Sequence, residues 1–91
     1  MNEPSFVPIK SVVATQLDEG DGVLVDLDTK QYFQLNETAM LIWRAIENGR
    51  PMDQIVEEIV TTYAVSDEHA LASAKSLLSR LQNHKLIRPA E

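Results

Sequence analysis

The hydrophobic period of the chain changes within one segment, QYFQLNETAMLIW, which spans residues 31–43. Residues 31–35 carry the aromatic pair Tyr32 and Phe33 and predict a strand, the third along the chain. Asn36 suits a helix N-cap, because its side chain can accept a hydrogen bond from a first-turn N–H. Beyond it, apolar residues recur at the i, i+3, i+4 and i+7 positions of one helix face: Ala39, Ile42, Trp43 and Ile46. The segment therefore predicts where strands give way to helices.

Two further strands are predicted before this segment. Residues 6–17 predict one irregular or edge strand, because Pro8 near their start cannot donate to a ladder and the apolar side chains are scattered: Val7, Ile9, Val12, Val13 and Leu17. After a polar turn at residues 18–22, residues 23–28 alternate with the period of a half-buried strand. Asp26 and Asp28 share one face beside the next turn and are expected to be exposed. The short turn at residues 28–30 predicts an antiparallel hairpin with the third strand.

Two further helices are predicted after the first. Gly49 ends the first helix, and Pro51 suits the first turn of the second. Ser66 or Asp67 caps the third helix, whose basic end complements the helix dipole and is capped by His84. Three strands followed by three helices predict an α+β fold in which the helices cover one face of a small antiparallel sheet. The same inventory is winged helix-turn-helix-like.

Length and composition bound the possible functions. The 91 residues predict a single domain over residues 1–91, with its core at about residues 6–88. The chain has no cysteine, which excludes disulfides, Cys-ligated zinc and thiol nucleophiles. No apolar run approaches the roughly 18 residues of a membrane-spanning helix, and residues 1–5 lack a signal-peptide pattern. The expected location is the cytoplasm, with no membrane partner.

The residues that could perform catalysis do not converge in the sequence. The two histidines, His69 and His84, lie on one predicted helix about 22 Å apart and cannot share a site. The acidic loop at residues 18–21 lacks the spaced ligands of an EF-hand, and the three glycines stand alone. We therefore expect no catalytic residues, no metal and no cofactor, and we do not expect an enzyme.

Charge is distributed unevenly along the chain. The formal net charge is −6, yet residues 75–88 hold four of the eight basic residues and no acid. Two interpretations of this stretch stay open: dipole matching on a solvated helix face, or a positive stripe that receives an acidic peptide or phosphate. Because the rest of the chain is acidic, nucleic acid is not an expected partner.

The aromatic pair on the third strand offers a second hint of binding. Side chains alternate along a strand, so one ring should face the core and the other should face outward. If this strand is a sheet edge, its unpaired N–H and C=O groups lie beside an apolar ring. Such an edge is a platform on which a peptide can add as a further strand.

Nearly the whole chain, about residues 7–88, resembles the PqqD-like family. The resemblance lies in an aromatic strand followed by Leu-Asn-x-Thr-Ala, Ile-Trp and a helix-ending glycine, within residues 32–49. The later segments Ile55-Val56-Glu57-Glu58-Ile59, Tyr63-Ala64-Val65 and Leu81 with Lys85-Leu86-Ile87 also match. Residues 25–33 depart from the Leu-Leu-Tyr-Pro-Glu-Gly type of segment in pyrroloquinoline-quinone members, which leaves open whether the pathway makes that cofactor, a lasso peptide or another product.

The resemblance implies a recognition element for ribosomally made, modified peptides, acting as a non-catalytic peptide chaperone. Such domains bind a precursor's leader peptide, which adds as a strand to the third strand and packs against the third helix. They present it to a modifying enzyme such as a radical S-adenosylmethionine protein or a leader peptidase, and members are also reported to form homodimers by exchanging elements. The implied contacts are Lys30, Gln31, Tyr32, Phe33, Gln34 and Leu35 on the strand, and Ala70, Ala74, Lys75, Leu77, Arg80 and Leu81 on the helix.

Two other functions stay open on the sequence alone. The strand and helix inventory also suits a winged-helix DNA-binding regulator, which would bind duplex in a salt-dependent manner. An oligomeric scaffold protein with no peptide ligand is the other alternative. Trp43 is expected to belong to the core in every case.

Overall fold

A computed structural model describes residues 6–17 and 20–89. The strands are β1 (Phe6–Pro8), β2 (Val12–Gln16), β3 (Gly22–Asp26), β4 (Gln31–Leu35) and β5 (Ile87–Pro89). The helices are α1 (Glu37–Glu47), α2 (Met52–Tyr63) and α3 (Asp67–Asn83), which lie between β4 and β5. Expectations for the start of the chain, for the acidic pair at residues 18–19 and for residues 90–91 lie outside the described residues.

The predicted α+β order is confirmed by an antiparallel three-stranded sheet in the order β2-β3-β4, followed by three helices. The likeness to a winged helix-turn-helix stays a prediction. Within the described residues, no helix combines the length and the apolar content needed to cross a membrane.

The prediction of one strand over residues 6–17 is wrong, because the chain turns at Lys10 and Ser11. β1 leaves the main sheet and pairs with β5 in a separate two-stranded sheet. The Ile9 N–H continues this contact by donating to the Leu86 carbonyl at 2.9 Å. The sequence does not predict β5, because a strand of three residues that ends in Pro89 is too short to show an alternating hydrophobic pattern.

The face of β3 that packs against the helices contains Leu24 and Asp26. Leu24 is fully buried, whereas Leu27, just beyond the strand, is 51% exposed. Asp26 was predicted to be exposed, but it is buried. Burial of the carboxylate is possible because its Oδ1 accepts hydrogen bonds from the Ser11 hydroxyl at 2.9 Å and from the Asp28 N–H at 3.0 Å. The Ser11 hydrogen bond in particular holds the pKa of Asp26 below its ordinary value. Asp28 is exposed, as predicted.

The helix boundaries follow from the predicted capping residues. The Asn36 side chain accepts from the Ala39 N–H at 2.9 Å, and Ser66, one of the two predicted caps, accepts from the His69 N–H at 3.1 Å. His84 occupies the C-cap of α3. Trp43 is fully buried in the core, where its Nε1 donates to Glu47 at 2.8 Å. The caps thereby set where α1 and α3 begin and where α3 ends.

Candidate functional site

β4 forms one edge of the three-stranded sheet. It pairs with β3 along one side, and no strand pairs with its other side among residues 6–17 and 20–89. An edge strand presents unpaired N–H and C=O groups that can accept a further strand. The condition set by the sequence, that the third strand be an edge, is therefore met.

Side chains alternate along β4 as expected. Phe33 and Leu35 face the helices, with Leu35 buried and Phe33 half-buried against the core. Tyr32 points away from the helices and is 72% exposed. The prediction that one aromatic ring faces inward and the other outward is confirmed.

A small cleft of about 90 Å³ opens between β4 and the C-terminal end of α3, and we call it the β4–α3 cleft. Leu77, Leu81 and Leu86 contribute apolar surface to it. The His84 ring packs against the Phe33 ring with centroids 4.7 Å apart and planes tilted by 50°. The edge strand is thus flanked by a mainly apolar cleft that two aromatic rings border. The full lining consists of Phe33, Gln34, Leu35, Leu77, Arg80, Leu81, His84 and Leu86.

Arg80 lies where this cleft meets two larger ones. A cleft of about 370 Å³ joins it to the end of β4 and to Asn36, and another of about 460 Å³ runs between α3 and the start of α1. Arg80 is exposed and forms no salt bridge within the described part of the chain. Its guanidinium gives the site a positive charge, and Asp21 also lines the 370 Å³ cleft.

The structure brings together half of the twelve predicted contact residues. Six of them line the β4–α3 cleft: Phe33, Gln34, Leu35, Leu77, Arg80 and Leu81. Gln31 and Tyr32 lie on the same strand outside the cleft, and Lys30 lies in the turn before it with a φ of 64°.

The remaining three predicted residues lie away from the cleft. Ala70 and Ala74 are fully buried on the core-facing stripe of α3, too far toward its N-terminus to line the cleft. Lys75 is exposed and faces α2. His84 and Leu86 also line the cleft and were not among the predicted contacts, although His84 follows Leu77 and Leu81 at helical spacing.

The described residues contain no group of three or more His, Asp or Glu side chains arranged to hold a metal ion. His69 and His84 lie at opposite ends of α3, and both are exposed. The chemistry that this site offers is hydrogen bonding along an edge, apolar contact in the cleft and one positive charge.

Comparison with known proteins agrees with this geometry. The family model for coenzyme PQQ synthesis protein D (PqqD) matches residues 21–87. The structure of TbiB1 in complex with the TbiA(beta) leader peptide is similar, with a TM-score of 0.83 and 28% identity over 90% of this chain and 94% of that one. Lasso peptide synthetase B1 complexed with the leader peptide matches with a TM-score of 0.83 and 26% identity over 93% of this chain and 99% of that one. A search of curated proteins finds no match.

Proposed function

This chain belongs to the PqqD family, and we propose that it is a binding module for the leader peptide of a ribosomally made precursor. The observation that carries the proposal is the open edge of β4 beside the β4–α3 cleft. Two structural relatives that cover at least 90% of this chain are leader-peptide complexes, which supports the same role here. The role is one of binding, and the chemistry is left to a partner.

In the proposed mode the leader adds as a strand along β4. Main-chain hydrogen bonds to residues 31–35 supply affinity with little demand on sequence, and the cleft supplies specificity. Alternate leader side chains would face α3, where Leu77 and Leu81 offer apolar contact. Lys30, Gln31 and Tyr32 would contact the flanks of the leader, whereas Ala70 and Ala74 would act only by seating α3 against the core.

The bound precursor implies an enzyme that modifies it. We propose that the whole chain works as one cytoplasmic module that presents the precursor to such an enzyme, either a leader peptidase or a radical S-adenosylmethionine protein. The lasso peptide synthetase B1 relative favours a lasso-peptide pathway, for which the family resemblance implies a leader peptidase. Family resemblance also allows a homodimer, which sedimentation of the free and peptide-bound chain would reveal.

Titration of the ¹⁵N-labelled full chain with a synthetic leader peptide tests the proposal. The peptide is taken from a precursor encoded beside the gene, and a scrambled peptide is the control. We expect amide shifts in residues 31–35 and in residues 77–84, with none elicited by the scrambled peptide. Shifts confined to β2, or no shifts at saturating peptide, would contradict the proposed site.

The DNA-binding alternative is tested with the same sample. The basic residues of the second half of α3 are the feature that would carry it. A duplex binder should be retained on DNA at low salt and released as salt rises. Because the chain as a whole carries a net charge of −6, we expect no retention.

A further inference from the structure

A second groove lies on the side of α3 that faces away from β4. Its volume is about 950 Å³, and we call it the α2–α3 groove. Leu71 lines this groove, whereas Arg80 lines the β4–α3 cleft. The two residues are separated by about two and a half helical turns, so they project from opposite sides of α3. The groove is therefore separate from the proposed leader site.

The floor of the α2–α3 groove is apolar. Met52, Val56 and Val60 recur every four residues and form a row along α2, and Leu71 faces them from α3. Val56 and Val60 pack against the core yet stay half-buried, and Leu71 is 37% exposed. Two helices that leave an apolar row open between them form the kind of surface that takes an amphipathic helix as a third member.

The rim of the groove is acidic. Asp53 and Glu57 border it on α2, Asp67 and Glu68 border it on α3, and Lys75 is the single base among the lining residues. All four acids are exposed, and none forms a salt bridge within residues 6–17 and 20–89. The charge that complements this rim is positive, which selects an occupant with lysine or arginine beside its apolar stripe.

A second copy of this chain does not supply that occupant. Its basic helix is α3, but the exposed surface between Lys75 and Arg80 carries Ser76 and Ser79 where an apolar stripe would be needed. The remaining apolar side chains in that stretch, Leu77 and Leu78, are buried in the core.

We propose that the α2–α3 groove docks an amphipathic helix of another protein, with an apolar stripe flanked by lysine or arginine. The row from Met52 to Val60 is about 12 Å long, so roughly two turns of helix cover it. Because the groove and the β4 edge lie on opposite sides of α3, helix and leader bind at the same time. The module thereby gains a surface through which a partner protein can reach the bound precursor.

A synthetic helix provides the test. The probe is a capped 18-residue peptide with leucines at i, i+4 and i+7 and lysines flanking them, and the control peptide replaces every lysine with glutamate. We expect the lysine peptide to bind the full chain and shift amides around Val56 and Leu71 but not those of β4. We expect the glutamate peptide not to bind. Absent binding, or shifts that map to β4, would overturn the proposal.

Three variants sharpen this test. Leu71→Ser should weaken binding of the lysine peptide about tenfold through lost apolar burial. Glu68→Lys should weaken it about threefold, whereas Asp28→Lys, the same charge change at an exposed turn on the sheet, should leave it unchanged. Equal effects of the two lysine variants would indicate attraction to net charge and overturn the proposal.

Self-association and leader binding are measured on the same proteins. If sedimentation shows a dimer that Leu71→Ser dissociates, the occupant is a second copy and the proposal is wrong. Leader affinity should be unaltered by Leu71→Ser and by the lysine peptide. If the wild-type chain does not bind the leader peptide, the proposed function is wrong, but the result for the α2–α3 groove is unaffected.

Discussion

The sheet has two edges, and they differ in what lies beside them. β2 and β4 are each five residues long, and each pairs only with β3 in the described part of the chain. One inner-face row crosses all three strands through Ala14, Leu24 and Phe33. The β2 edge thus carries a methyl group where the β4 edge carries an aromatic ring.

The surroundings of the two edges differ as well. Three residues of β4 line the cleft to which Leu77 and Leu81 contribute, whereas in the part of the chain that the structure describes β2 borders a cleft only at its last residue, Gln16, which accepts a hydrogen bond from Arg44 at 3.3 Å. An open edge alone offers hydrogen bonds to any extended peptide. An apolar cleft that runs along the strand adds the contacts that distinguish one peptide from another, so our proposal places selective binding at the β4 edge.

The largest expected effect comes from a change that both edges share. Gly22 is buried in β3 between Gln16 of β2 and Leu35 of β4, and a Cβ added there would collide with the Met40 thioether. Gly22→Ala should lower the free energy of unfolding by about 3 kcal/mol, because the buried Met40 side chain and its packing between α1 and β3 must rearrange. Urea unfolding followed by circular dichroism measures this loss.

Gly49→Ala is the matched control for that substitution. Gly49 has a φ of 74°, but nothing lies within 4 Å of the added Cβ. Its cost is limited to the left-handed backbone, about 1 kcal/mol. If the two alanine variants lose the same stability, the contact between β3 and α1 does not constrain the sheet.

The next effect separates the two edges. Phe33→Ala gives β4 the same side chain in the inner row that β2 has at Ala14. Leader affinity should fall about thirtyfold, because an aromatic side chain no longer contacts the peptide. Isothermal titration calorimetry measures the change.

Two variants serve as controls for this prediction. Phe33→Leu should retain most of the leader affinity, and Val13→Ala on β2 should retain all of it. A comparable loss of affinity in the β2 variant would remove the distinction between the edges.

The strand that forms the proposed binding edge could be predicted because its signals are local. The switch in period at Asn36 fixes the end of β4 and the start of α1, and the structure has both at the predicted positions. Caps such as Ser66 act over three residues and could be identified in the same way.

Features that depend on distant contacts could not be predicted. The burial of Asp26 requires Ser11, 15 residues earlier, and β1 pairs with β5 at the far end of the chain. Likewise, Ala74 and Leu77 are on one apolar stripe in sequence, but only Leu77 borders β4. The position at which α3 crosses the sheet decides which of its residues border β4, and this position cannot be read from helical periodicity.

A smaller effect tests the residue that connects both edges. Asp26 accepts from Ser11, just before β2, and from Asp28, in the turn before β4. Its folded pKa lies below the ordinary value of 3.8, so its contribution to stability is fully present above that pH and is lost as the pH falls through the folded pKa. Wild type should therefore be more stable than Asp26→Asn by a constant amount near neutral pH. This difference in unfolding free energy should decrease as the pH falls below 3.8.

Ser11→Ala identifies the cause of this pH dependence. It removes the largest contribution to the lowered pKa of Asp26, so the stability that this carboxylate loses on acidification should be smaller and the loss should be complete at a higher pH, closer to 3.8. Acid unfolding curves of the three proteins measure the shift. Superimposable curves for wild type and Ser11→Ala would mean that the hydroxyl does not stabilise the carboxylate.

The smallest expected effect concerns charge at the two edges. Arg80 lies at the junction of the clefts beside β4, whereas Arg44 lies beside β2 and is paired with Glu47 at 3.2 Å. If the basic end of α3 receives an acidic leader, Arg80→Gln should weaken leader binding about threefold at low salt, with a smaller difference at high salt. Arg44→Gln makes the same change in net charge and should have no effect. Equal losses of affinity would show that the leader is attracted by the net charge of the whole molecule. If neither variant loses affinity, Arg80 does not contribute to leader binding and only stabilises the negative end of the α3 dipole.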